Sequence, residues 1–233
     1  MKALHLISGG AAQGLVAQLS DRFSAGHGFA PEGTFGAVGL MKDKLLAGAP
    51  CDVVILTAAL IQELEQQGHV RADSARALGV VRTGVAVKAG EPKPDVSTAQ
   101  ALTQLLRGAK GIYFPDPVKA TAGIHFMKVL KALGLDQELA ERLRPFPNGA
   151  TAMREMAAAS GSGLVGCTQV TEILYTAGVQ LVGVLPREFE LATVYTAAVC
   201  SRAANPAAAQ ALVDQLAAEA SAPQRLAGGF EER

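Results

Sequence analysis

Gly33-Thr34-Phe35-Gly36-Ala37-Val38-Gly39-Leu40-Met41-Lys42-Asp43-Lys44-Leu45-Leu46-Ala47-Gly48-Ala49-Pro50-Cys51-Asp52-Val53-Val54-Ile55-Leu56-Thr57-Ala58-Ala59 is the stretch on which the fold turns. Its first seven residues, Gly33–Gly39, read as a glycine-punctuated loop. Leu40–Ala47 has apolar Leu40, Met41, Leu45 and Leu46 around polar Lys42, Asp43 and Lys44, the pattern of a short amphipathic helix. Gly48-Ala49-Pro50 supplies a glycine cap followed by proline, which stops it. Asp52–Thr57 is a nearly continuous apolar, β-branched run, so it reads as a strand buried on both faces of a largely parallel sheet. The loop turns backbone N–H groups outward where a helix begins, and such a terminus favours an anion. A plain strand-to-helix turn without a ligand is the competing reading.

The same alternation extends along the chain. Ala3–Ile7 reads as a first strand, followed by Ser8–Gly14 and a helix carrying Leu15, Val16, Leu19 and Phe23. Gly9 and Gly14 have the spacing of a nucleotide P-loop, but the Lys-Ser/Thr that must follow is missing, which excludes it. Further strands are expected over Leu78–Val87, Lys110–Phe114, Leu164–Gln169, Val179–Pro186 and Val194–Val199. Helices are expected over 59–67, 98–106, 124–133, 137–143, 151–159, 172–176 and 205–218, with Asn205-Pro206 as N-cap and N1 of the last. Strands alternating with helices imply an α/β fold, and ligands of open α/β sheets bind where strands end and helices begin. Four such loops follow strands here, at Ser8–Ala12, Gly36–Gly39, Thr121–Gly123 and Asn148–Ala150, and Thr57 and Gln169 end strands on the same edge.

Composition narrows the function. Lys+Arg and Asp+Glu both number 21, so no basic excess exists to neutralise nucleic-acid phosphates. No apolar run approaches the ~20 residues of a membrane span. Met1-Lys2 leads directly into the first strand, so no signal peptide is read; the expectation is cytoplasmic as written, or periplasmic if a leader has been removed. Cys51, Cys167 and Cys200 are widely spaced on or beside apolar runs and read as buried free thiols. His5, His27, His69 and His125 have no metal-ligand spacing, and neither a metal nor a cofactor is expected.

Six segments in order resemble the molybdate-binding proteins of ABC importers. They are Gly48-Ala49-Pro50-Cys51-Asp52-Val53; Asp116-Pro117 with Thr121-Ala122-Gly123-Ile124; Leu130–Leu135; Asn148 with Ala152-Met153; Ala159-Ser160-Gly161; and Asn205-Pro206-Ala207-Ala208-Ala209. The resemblance implies the two-lobed type II periplasmic-binding-protein fold, with two mixed, mainly parallel sheets flanked by helices. Lobe one would be 1–82 and 192–233, lobe two 83–191, and the lobes would close on a small anion delivered to an ABC permease. It also implies contacts at Gly9, Gly10, Ala11, Ala37, Val38, Gly39 and Thr57 in lobe one, and at Ala122, Gly123, Gly149 and Gln169 in lobe two. Arg82, at the first crossover, is a further candidate for a ligand carboxylate, against a surface ion pair.

The departures from the family are specific. Hydroxyl-bearing contact positions are matched here by Gly10 and Ala37-Val38, the usual tyrosine by Gln169, and the valine after Asn148 by Gly149. An oxyanion short of donors binds weakly, which turns the expectation from molybdate to an organic acid or other anion. Thr34, Thr121, Thr168 and Lys119 are secondary candidates, each equally an ordinary cap, core or solvated residue. An aconitate-isomerase-like enzyme on the same fold is the alternative function. His125, in the first turn after Gly123, is then a weak candidate for moving a proton, against a partly buried, satisfied ring.

Overall fold

A computed structural model describes residues 1–232. The strands in chain order are β1 (Lys2–Gly9), β2 (Phe29–Gly36), β3 (Val53–Thr57), β4 (Arg76–Lys88), β5 (Gly111–Pro115), β6 (Leu143–Phe146), β7 (Leu164–Gln169), β8 (Val179–Val184) and β9 (Ala192–Val199). The α-helices are α1 (Gln13–His27), α2 (Val38–Leu46), α3 (Ala58–Gln66), α4 (Ala99–Gly108), α5 (Thr121–Ala132), α6 (Gly149–Ala158), α7 (Val170–Tyr175), α8 (Pro206–Ala217) and α9 (Ala222–Ala227). The fold is α/β with mixed sheets, and the chain divides into two compact units: residues 1–81 with 193–232, and residues 82–192.

In the first unit β1 is central. It pairs in parallel with β2 on one side and β3 on the other, and β9 runs antiparallel to β3. Val53, Val54, Ile55 and Leu56 are fully buried, as a doubly covered strand requires. Each such side chain contributes about 1.5–3 kcal/mol by leaving water. They pack with Leu15, Val16, Leu19 and Phe23 of α1 and Leu212, Val213 and Leu216 of α8.

Asp52 is buried at the foot of β3, and its carboxylate accepts from the backbone N–H groups of His5 (2.9 Å) and Asn205 (3.0 Å). One acidic side chain thus ties β1, β3 and the start of α8 together. Asn205 precedes Pro206 as expected, but its side chain makes no cap.

In the second unit β7 is central. It is parallel to β5 and antiparallel to β4, β6 adds in parallel to β5, and β8 pairs with the other side of β4. Two clusters fill this unit: Ile112, Phe114, Phe126, Leu130 and Val165 in one, and Ala152, Met153, Met156 and Ile173 in the other.

Three local expectations need correction. Gly33–Gly36 is the end of strand β2 rather than loop, and α2 starts at Val38. Among the described residues β2 is paired only to β1, so a segment carrying Pro31 and two glycines can serve as an edge strand. The expected helix 137–143 shrinks to a 3-10 turn over Ala140–Arg142, followed by β6, whose Pro145 again suits a strand paired on one side. Thr121 is the first helical residue of α5 and not its cap; Ala120 holds the cap position and offers no side-chain acceptor.

Candidate functional site

Parallel pairing sets the candidate residues on common edges within each unit. Gly9 and Gly36 are register partners at the ends of β1 and β2, and Ser8 pairs with Ile55 two residues before Thr57. The turn Gly10–Ala12, the start of α2 and the end of β3 therefore share the carboxyl edge of the first sheet. Backbone packs closely there: a Cβ on Gly9 would fall under 3.0 Å from Val38 Cγ1.

The N-cap of α2 is Ala37, without a side-chain cap, so the amides of Val38 and Gly39 open onto that edge. The start of the 3-10 turn Gly10–Ala12 is likewise uncapped by any side chain. Thr57 caps α3 through a long bond from Leu60 N–H (3.5 Å). Thr34 lies within β2. Ser8 is buried beside this edge, but its hydroxyl donates to the Gly9 carbonyl (2.9 Å).

In the second unit the ends of β5, β6 and β7 lead into α5, α6 and α7 on one edge. Ala122 and Gly123 occupy the first turn of α5, whose first intrahelical bond is Ile124 N–H to Ala120 C=O (2.9 Å). Only glycine fits at 123, because a Cβ would strike the carbonyl oxygens of Pro115 and Asp116. The Asp116 carboxylate is engaged with the N–H groups of Val118 and Lys119 (2.7 and 2.9 Å). Gly149 is the first residue of α6 and Gln169 the last of β7.

Two candidates are held by partners inside this unit. Arg82 forms an ion pair with Glu190. The His125 ring donates from Nε2 to the Phe189 carbonyl (2.7 Å), the arrangement of a satisfied ring.

Sequence reading missed Glu172. It lies in the short α7, 5% exposed, with nothing in its neighbourhood of the chain to mark it out. Its carboxylate accepts from Thr168 Oγ1 (2.5 Å), and the neighbouring backbone amides of Gly149, Ala150 and Gln169 favour its ionised form. Thr151 N–H is taken by the Asn148 side chain (2.8 Å) and Ala152 N–H by the Asn148 carbonyl (3.0 Å). The Glu172 carboxyl lies against the first residue of α6. This also explains Gly149, since a Cβ there would overlap Glu172 Oε2 and Thr168 Oγ1.

Burial pushes the Glu172 pKa up, with the Thr168 hydroxyl and the neighbouring backbone amides acting in the opposite direction. A carboxyl whose folded pKa is raised stabilises the fold fully below the unfolded range of about 4.3 and loses that contribution as pH rises through the folded pKa. The expected result is that Glu172→Gln, which cannot ionise, loses less stability than wild type as pH is raised from about 4 upward. Denaturant titrations of both proteins across that range check it; parallel curves contradict it.

Beside Glu172 lies a set of unpartnered polar atoms. Gln169 is 3% exposed and neither its Oε1 nor its Nε2 is hydrogen-bonded among the described residues. Thr83, its register partner across β4 and β7, is 1% exposed with an unpartnered hydroxyl, and Thr171 Oγ1 is in the same state. Such groups carry a desolvation cost of about 1–3 kcal/mol each unless something completes them.

These edges can be set against known proteins. The periplasmic molybdate-binding protein of Azotobacter vinelandii superposes with a TM-score of 0.81 over 99% of both chains at 21% identity. The sulfate-binding protein SubI of Mycobacterium tuberculosis gives 0.74 over 99% of this chain and 86% of that one, at 19% identity. In sequence, an aconitate isomerase from Pseudomonas sp. is 29% identical over 184 residues, 77% of this chain and 67% of the isomerase. The family model of bacterial extracellular solute-binding proteins matches residues 4–230, which takes in every strand edge described above but for the first two residues of β1. With that match across nearly its whole length and the same fold as binding proteins for small oxyanions, this chain belongs to the bacterial extracellular solute-binding protein family.

Proposed function

We propose that this solute-binding protein takes a small organic carboxylate and presents it to an ABC permease. The observation that supports this most directly is the make-up of the helix starts. At Gly10-Ala11, Val38-Gly39 and Ala122-Gly123 the helical or 3-10 turns open with amides uncapped by side chains, next to small or apolar residues. Amides at helix starts suit carboxylate oxygens. Ala11, Ala37 and Val38 suit a carbon skeleton, and side-chain hydroxyls to surround a tetrahedral inorganic anion are missing at Gly10, Ala37 and Val38.

A thermal-shift screen followed by calorimetry tests this. Among molybdate, tungstate, sulfate and C4–C6 mono-, di- and tricarboxylates, a carboxylate should give the largest shift. At 100 times its dissociation constant it should add about 2.7 kcal/mol of stability. Submicromolar binding of molybdate with no carboxylate bound would overturn the proposal.

A second reading, isomerisation of a small polycarboxylate, is favoured by the 29% identity to an aconitate isomerase and by Glu172, a buried carboxyl whose pKa is pushed up as a proton carrier requires. Incubating the protein with cis- or trans-aconitate in D2O separates the two readings. Interconversion with deuterium uptake supports the enzyme, and binding without exchange supports the carrier.

A further inference from the structure

We propose that Glu172 is the specificity-determining residue of the second unit, a built-in carboxyl that occupies the start of α6 in place of a ligand oxyanion. The inference rests on the reading of this chain as a small-anion binder and adds which anions are refused and what else the ligand carries. α6 is a 10-residue helix whose opening amides face the same sheet edge as those of α5. At α5 the first turn has no side-chain acceptor. At α6 the Glu172 carboxyl lies against Gly149 and accepts from the Thr168 hydroxyl, with the amides of Ala150 and Gln169 nearby. The space before this helix start is thus filled by the protein's own carboxyl oxygens. The exclusion is geometric: the place a Cβ of residue 149 would take is already held by Glu172 Oε2.

The independent observation is the polar set beside it. Gln169 has a buried side chain with both polar atoms unpartnered among the described residues, and the hydroxyl of its cross-strand partner Thr83 is unpartnered too. A carboxamide offers one acceptor and two donors, and a hydroxyl offers both roles. The complementary ligand group is one that donates and accepts at once, a hydroxyl or a carboxamide, rather than a fully ionised oxyanion. The ligand class is therefore a hydroxy- or amido-carboxylate, with its carboxylate at the uncapped start of α5 and its neutral polar group at Thr83 and Gln169 of the same unit.

The test removes the built-in carboxyl. Melting temperatures of wild type, Glu172→Ala and Glu172→Gln are measured with chloride, formate, sulfate and molybdate at equal ionic strength. Glu172→Ala should melt below wild type, and formate, sulfate or molybdate, beyond the chloride control, should raise it by roughly 5 °C or more at a hundred times the dissociation constant. The same salts should leave wild type and Glu172→Gln within a degree or so of their chloride values. Should Glu172→Ala be too unstable to purify, Glu172→Asp, whose carboxylate is drawn back from Gly149 by one methylene, is measured in the same way.

Equal responses of wild type and variant to all four salts would overturn the inference, as would tight molybdate binding by wild type. Because these anions probe the helix start directly, the outcome stands whether or not the organic-acid screen finds a ligand. A variant that gains oxyanion binding while wild type binds no carboxylate would sink the organic-acid reading and leave this one. For the neutral subsite, Gln169→Leu and Thr83→Val should each weaken a hydroxy-carboxylate at least tenfold while leaving its deoxy analogue unchanged, and equal losses for both compounds would overturn that part.

Discussion

Gly123→Ala should lose on the order of 3 kcal/mol of stability and most of the ligand affinity together. A methyl group at 123 has no free direction. The atoms it would meet under 3.0 Å are the carbonyl oxygen of Pro115 and the carbonyl group of Asp116. These belong to the backbone leaving β5 for α5, where the Asp116 carboxylate already holds the N–H groups of Val118 and Lys119. A flexible side chain could swing aside; this turn must move as a piece. α5 would be driven from the sheet, while Phe126 and Leu130 anchor it in the core at 0% exposure. The amides of Ala122 and Gly123 would leave the sheet edge with it. Denaturant unfolding and calorimetry on one preparation check both losses. A variant with wild-type stability would show that the loop yields freely and that α5 is not held as described.

Oxidised glutathione should convert two of the three thiols to a disulfide and raise the unfolding free energy of the first unit by about 3–5 kcal/mol. Cys51 and Cys200 are free thiols with their sulfurs 3.2 Å apart, one before β3 and the other after β9. Cys51 is partly exposed and lines a cavity of about 340 Å³ with His69 and Cys200, so a small disulfide can reach it. Its thiolate attacks glutathione disulfide and expels one glutathione. Cys200 then gives up its proton, attacks the Cys51 sulfur and expels the second. The Cys51 contact and burial push the Cys200 thiol up, so the second step should quicken as pH rises.

The gain is large because the bridged residues are 149 apart, and long loops lose most entropy on closure in the chain-entropy view. Cys167, fully buried in the other unit and also pushed up, should stay reduced. Thiol titration, peptide mapping and melting with and without dithiothreitol check this. Three titratable thiols after prolonged oxidation would refute it.

The fold class was legible because its decisive elements carry two coincident signals. Val53–Leu56 is both β-branched and continuous, and it sits inside a sheet with no face in water. Phe29–Gly36 hid because an edge strand needs only one partner, so Pro31 and Glu32 cost it little. Leu143–Phe146 hid for the same reason.

Of the candidate site, the residues at strand ends could be placed from chain order, since parallel strands bring their ends to one edge. Glu172 could not. Its part depends on reaching back from the turn after β7 to the start of a different helix, and a glutamate in a helical stretch looks the same whether it faces water or another backbone. Gly149 held the only trace, a glycine opening a helix, and that trace reads equally as room for a ligand or room for the protein's own carboxylate.

The first unit is assembled from two distant segments, and this sets the order in which the nascent chain can fold. Residues 82–192 are continuous, so their sheet can close as soon as they leave the ribosome. The first 81 residues cannot finish. Until Val199 emerges, β3 has no β9 on its open edge, and until Leu216 emerges α1 has no α8 against it. An apolar strand with a free edge therefore waits through the synthesis of an entire second unit, at about 5–20 residues per second. For that interval Val53–Leu56 is the segment of this chain most in need of a chaperone.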